Sequence, residues 1–458
     1  MEFALARTSN GTPIPSSKTI PFTLCSSMEL IIKDARLTGL DHLVDIGIEG
    51  GKIVNLEPNQ KGPNTISAEG NLVSSSFLEI HIHLDAILAE GAPRKNESGT
   101  LWEGIQIWSE RVKSLSREDV RARVLKALPW FVAHGVTHIR SHVDVCDPNL
   151  TAMKALIEIR EEVRDLIDVQ LVAFPQLGMF SYEGGAEMVA KAMELGADVV
   201  GGIPHYEITR EYGVQNVKYA LELAHKLGAP VDIHCDETDD EQSRFLETMA
   251  AEALRLRMVG NVAASHTTAM HSYNNSYADK VINNVRRAGL HVICNPPDNS
   301  VLQGRFDHYP IRRGLTRVKE LLAAGVNVAA GHDSVMDPWY PMGKGDPMHT
   351  AFVLLHYGLM SGARDRAHLF PMLSSRAAAI WNNQAVKLEA GAWSGLDGHS
   401  IRVGNDADLI VWPVPTEDDA IRTMPMRRYV LKRGKIVAET KPQVSSVMGQ
   451  DVRFLREV

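Results

Sequence analysis

Eight short apolar runs punctuate the middle of the chain, at about residues 76–83, 137–145, 168–176, 198–204, 230–235, 261–266, 291–296 and 326–333. Continuous apolar runs of this length suit parallel strands, which are buried on both faces. Helical patterns fill the gaps, among them EDVRARVLKALPWFVAHG, LTAMKALIEIREEV, AEMVAKAMELG, VKYALELAHKLG and RVKELLAAG. Several close on Gly, the residue that best terminates a helix. This alternation predicts an α/β fold, a (β/α)8 TIM barrel over residues 76–394. The competing doubly wound sheet would carry GxGxxG after its first strand, and the chain has none there.

The flanks read differently. Residues 29–56 and 401–438 alternate short β-like runs with turn signals, and GGKIVNL near one end echoes RGKIVAE near the other. Both chain ends are therefore expected to build one small β-sandwich domain, residues 28–75 with 395–440. Residues 1–27 are rich in Ser, Thr and Pro and lack a secretory signal's apolar core, so a loose N-terminal arm is expected. Residues 441–458 form a C-terminal tail.

Composition removes whole classes of function. Lys and Arg number 48 against 56 Asp and Glu, a formal charge of −8, without the basic excess of a nucleic-acid binder. Apolar residues make up 44%, too many for a disordered chain. No apolar run reaches the ~18 residues of a membrane span. Cys25, Cys146, Cys235 and Cys294 include no CxxC pair, and read as free thiols in a reducing cytoplasm.

Barrel enzymes collect their chemistry at the C-terminal ends of the strands, and polar residues fall there repeatedly. The first run ends in His81-Ile82-His83, the third in Phe174-Pro175-Gln176, and the fifth in His234-Cys235-Asp236-Glu237. The sixth ends in Ser265-His266 and the eighth in Gly331-His332-Asp333-Ser334. Residues i and i+2 of a strand share a face, so His81 and His83 can hold one ion together. Alone, HxH is weak, since 18 His predict about 0.7 such pairs by chance; two structural histidines would look the same. His234 and Asp333 add a nitrogen and a carboxylate from two further strand ends. Three His and one Asp suit one divalent ion per chain, Fe2+ or Zn2+.

Asp333 could also act as general base. Glu237, three residues past His234, could carry a proton without binding metal; as an acidic loop residue it could equally be solvated. His266 could stabilise charge developing at the attacked carbon. His332 points away from Asp333 and is expected to be structural. His138 and His142 lie on a strand-like run rather than a helix, with His142 a possible neighbour of the site. Arg312, Arg313 and Arg317 are expected on a helix's solvated face.

The stretches HIHLDAILAEGAPRKNESGTLWEGI, THIRSHVDV, FPQLGMFSY, GADVVGGIPHYEITREYG, DIHCDETDDEQSRF, ASHTTAMHSYN, NPPDNSVLQGRFDHYPIRRGLTRVKE and GHDSVMDPWYPMG cover the barrel in order. They resemble the amidohydrolase superfamily, and within it the bacterial cytosine deaminases. The resemblance implies a mononuclear site on His81, His83, His234 and Asp333, since DVVGGIPHYE lacks the strand-four Lys of binuclear relatives. It implies that Gln176 bonds the amide edge of a pyrimidine, Glu237 shuttles the proton and His266 steadies the attacking hydroxide. Gly99-Thr100-Leu101 would lie along the base, with Trp339 packed against it.

Two positions depart from that family. Ser334 stands where a second Asp follows the metal Asp, and Pro297-Asp298 follow Asn295-Pro296 where the pattern is apolar. Both bear on substrate choice. The expected activity is hydrolytic deamination of cytosine or a closely related, C5-substituted pyrimidine, with a nucleobase-like small molecule as the partner. Deamination of isoguanine, a pterin or a triazine, or opening of a cyclic amide, would use the same centre. An inactive scaffold would have no need to keep all four ligand-type residues and Glu237. A homo-oligomer is the prior for such an enzyme.

Overall fold

The computed structural model describes residues 29–442 and 445–452. The expected N-terminal arm and Cys25 lie outside the described residues, as do the last residues of the expected tail.

Eight strands form the central sheet: Phe77–Ile82, Val136–Asp144, Asp168–Phe174, Val199–Val200, Val231–Cys235, Val262–His266, His291–Cys294 and Asn327–Ala330. Each pairs in parallel with the next in sequence. The first and eighth approach through a parallel bridge between Ile82 and Asp333. There His83 N donates to Asp333 O at 3.1 Å and Asp333 N to His81 O at 2.9 Å. The sheet thus curls into a TIM-like barrel whose seam runs through the HxH motif.

Helices cover the outside, including Arg117–Ala133, Thr151–Val163, Gly185–Leu195, Arg210–Leu227, Phe245–Leu256 and Asn275–Ala288. Gly228 and Gly289 end two of them in the left-handed conformation, which only glycine takes without strain. Their inner faces pack on the outward side chains of the strands, among them Val124, Leu156, Val189, Leu221, Met249 and Val281.

Strand four is two residues long, shorter than the 198–204 run suggested. Gly201 and Gly202 sit so close to the neighbouring strands that a Cβ at Gly201 would strike Ala173 O at 2.5 Å. Pro204 then opens a short 3-10 turn. Strand eight likewise stops at Ala330, and Asp333 beyond it takes the left-handed region at φ 73°.

Two smaller sheets pack together beside the barrel. One holds Leu30–Ala35, Val44–Glu49, Lys52–Asn55 and Thr65–Ser67. The other pairs Val73–Ser75 with Leu409–Val411, Tyr429–Lys432 and Lys435–Glu439. Their shared core includes Ile32, Ile46, Ile48, Leu409, Val411 and Leu431, contributed by both ends of the chain. The sequence echo is two hairpins. Gly50-Gly51 and Arg433-Gly434 each take positive φ at both turn positions, the geometry that suits a tight hairpin. Ala407 joins the turns, its N donating to Gly51 O and its O accepting from Gly434 N.

Arg317 departs from the expected solvated face. The helix begins at Val318, one residue later, and the Arg317 side chain is 14% exposed. Its guanidinium donates to Met270 O and Tyr273 O, pinning the loop that follows strand six. Arg312 is held by Asp307.

Candidate active site

Strand register decides what meets at the barrel mouth. His234 pairs with Ser265, and Cys235 with His266, so the fifth and sixth strands deliver their polar ends at one level. The seam delivers His81, His83 and Asp333. The ligand atoms of His81, His83, His234 and Asp333 all lie within 4.8 Å of one another. His83 Nε2 stands 3.1 Å from His234 Nε2. Asp333 Oδ1 is 3.3 Å from His81 Nε2 and 3.5 Å from His83 Nε2.

Burial sets the charge states. It holds His81 down to about 3 and His83 to about 4, so both are neutral at pH 7, the form that binds metals. His81 Nδ1 meets Ser265 Oγ at 2.9 Å. Ser265 Oγ donates to Asp232 Oδ1 at 2.7 Å, and Arg140 donates to Asp232 Oδ2 at 3.2 Å. This chain fixes the ring and leaves Nε2 facing the cluster, where it has no hydrogen-bond partner among the described residues. Such an orphaned buried nitrogen beside two imidazoles and a carboxylate fits a divalent ion, with a hydrogen-bonded residue behind it as metal-bound histidines usually have.

Asp333 and His266 both take left-handed backbone, at φ 73° and 70°. A non-glycine residue there costs about 1–3 kcal/mol, and the strain sits where side chains must turn into the cavity.

Glu237 is buried, at 5% exposure, not solvated. Asn299 Nδ2 donates to its Oε1 at 3.2 Å, and His266 Nδ1 lies 3.4 Å from the same oxygen. Burial pushes its carboxyl well above the usual carboxylate range, and the Asp333 charge adds to this. Glu237 therefore suits a group that holds and passes a proton.

A cavity opens over this cluster. Gln176 and Leu101 line it. Leu101 opens the helix Leu101–Val112, which Thr100 caps by accepting from Glu103 N. Phe174 stacks on His234 at 4.0 Å between ring centres. Trp339 lies 5.8 Å from His83 and packs onto Gly104, where a Cβ would collide with the indole. Ser334 and Asp298 also face the cavity, with Ser334 Oγ donating to Asp298 Oδ2 at 2.9 Å.

His332 lies apart from the cluster, its Nδ1 against Ser334 O and its Nε2 near His349. His138 sits beside Asp168 and Lys432 at the start of its strand. His142 is in the barrel interior, its ring 4.0 Å from His81. In the sequence Ser265 reads only as a polar strand end, and Asn299, Asn295, Asp232 and Arg140 carry no assigned role. Asp232 alone carried a local signal, two residues before His234 and so on its inward face.

The model of the amidohydrolase family matches residues 64–438. A solved 5-methylcytosine deaminase from Klebsiella pneumoniae, liganded with phosphonocytosine, is 40% identical, with a TM-score of 0.85 over 91% of this chain and 100% of its own. The N-isopropylammelide isopropyl amidohydrolase of Pseudomonas sp. (strain ADP) is 26% identical over 91% of this chain and 98% of its own length. The pterin deaminase of Rhizobium rhizogenes is 28% identical over 88% and 91%.

Proposed function

Because this chain belongs to the amidohydrolase family, we propose that it is a metal-dependent aminohydrolase that deaminates cytosine or a closely related, C5-substituted pyrimidine. The observation that carries the reading is Glu237: a buried carboxyl 3.4 Å from His266, beside the cluster of three histidines and Asp333. The 40% identical relative bound to a cytosine analogue supports the choice of base.

His81, His83, His234 and Asp333 would hold one divalent ion, Fe2+ or Zn2+. Such an ion supplies a water acidic enough to attack at neutral pH. Gln176 aligns the amide edge of the base, while Leu101 and Trp339 clamp its faces. Asp333 takes a proton from the attacking water. Glu237 gives its proton to the ring nitrogen next to the attacked carbon and a second one, taken from the same water, to the departing amine; the proton held by Asp333 then restores Glu237. His266, held by Asn295 and Asn299, stabilises the charge that develops on the attacking oxygen. Overall, base and water become the oxo base and ammonia.

The pterin deaminase and triazine-type relatives favour a second reading, a larger or more substituted amino-heterocycle. Ammonia release from cytosine, 5-methylcytosine, 5-fluorocytosine, isoguanine, a pterin and an aminotriazine separates the two. Activity confined to the last three would overturn the pyrimidine reading.

A further inference from the structure

Ser334 and Asp298 act as a pair. The Ser334 hydroxyl is committed to Asp298 Oδ2, so it has no second proton to offer a substrate. Asp298 is 3% exposed and lines the cavity, yet its Oδ1 has no hydrogen-bond partner among the described residues. A buried acceptor left unpaired costs about 1–3 kcal/mol, which a ligand's donor would recover.

The position of Asp298 says which donor. It lines the same cavity as Glu237, His266 and Asp333, and its Oδ2 takes the hydroxyl of Ser334, the residue after Asp333, so it borders the place where the attacked carbon must sit. It belongs to the helix Pro296–Leu302 that follows strand seven, and its neighbour Asn299 holds Glu237 and His266. The attacked carbon of an aminopyrimidine carries one N–H donor group, its exocyclic amine. No Lys or Arg lines the cavity, so nothing there competes for the carboxyl.

Resting on the deaminase reading above, we propose that Asp298 is the leaving-group residue, its Oδ1 accepting a hydrogen bond from the exocyclic amine. The water oxygen bonds to the ring carbon, and the electron pair of the breaking C–N bond leaves with nitrogen. Glu237 supplies the proton that completes ammonia, and Asp298 neither gains nor loses one over the cycle. The pocket therefore selects leaving groups that carry N–H, amino or monoalkylamino, over alkoxy or dialkylamino.

The test compares kcat/KM for cytosine and for 4-methoxy-2-pyrimidinone, which both yield uracil, in the native enzyme and in Asp298→Val and Asp298→Ala. If the methoxy base binds without turnover, its Ki replaces its kcat/KM. The comparison within one preparation does not depend on the active fraction, so partial misfolding leaves it valid. Both variants should lower the cytosine-to-methoxy preference by about 5- to 150-fold, the cost of leaving a buried N–H donor without its partner. A shift of less than about threefold overturns the role of Asp298 and leaves the reaction standing. Uracil from neither base overturns both.

Discussion

His83 Nε2 and His234 Nε2 face each other across 3.1 Å, from the first and fifth strands of the barrel. Both rings are neutral because burial disfavours their charged forms. Two imidazoles turned edge to edge gain little from each other and much from an ion between them. Gently purified protein should carry about one divalent ion per chain, and His83→Ala should lose most of it. Because an ion binds only the folded chain, its removal by a chelator should lower Tm. Two ions per chain would contradict the single-site reading.

Glu237→Gln keeps the shape of the side chain and its bond from Asn299, but cannot carry a proton. Metal content should be unchanged while kcat falls about 10²–10⁴-fold, the usual contribution of a general acid–base group. A loss below about tenfold would assign the proton to another group.

Ser334→Asp places a carboxyl beside Asp298, Asp333 and Asp337, all buried. It should fill the space beside C5 and lower the preference for 5-methylcytosine over cytosine, by roughly 10- to 200-fold for a methyl-sized fit. Combining it with Asp298→Val removes one of the crowded buried carboxyls and should recover part of the stability lost. Urea midpoints and the kcat/KM ratio of the two bases check both statements. An unchanged ratio in Ser334→Asp means this residue does not shape the pocket.

His291 lies at the opposite end of the barrel, its Nε2 against Gly260 O and its Nδ1 against Asn327 Nδ2. Burial holds it down to about 4 from 6.5. Below pH 6.5 the unfolded chain takes up a proton that the folded chain refuses, so stability present above pH 6.5 drains as pH falls toward 4. His291→Asn should be less stable at pH 7 but show a shallower acid dependence, by up to about 1.4 kcal/mol per pH unit. Urea unfolding at pH 7 and pH 5 measures it, and equal slopes would exclude His291 as a contributor.

The barrel and its ligand-type residues were legible because each depends on a local pattern. HxH shares a strand face, and apolar runs announce buried strands. The support behind His81 was not legible, because Arg140, Asp232 and Ser265 come from three strands and meet only through register. Asn299 was hidden for a related reason: it reaches Glu237 from a seven-residue helix that the sequence does not announce. Glu237 shows the limit from the other side. The acidic run after it suggests solvent, yet the turn at Asp236, whose carboxylate takes the backbone amides of Phe245 and Leu246, folds Glu237 inward while Asp240 and Glu241 stay exposed.

The joined hairpin turns at Gly51 and Gly434 set a schedule for biosynthesis. The strand Val73–Ser75 leads straight into the first barrel strand, but its partner Leu409–Val411 emerges from the ribosome more than 300 residues later. Until then the apolar face of the first small sheet, with Ile32, Ile46 and Ile48, has no lasting cover. Long-range closure of this kind slows folding and leaves nascent chains prone to aggregation. A chain truncated before residue 409 should therefore depend on chaperones even with every metal-ligand residue already made.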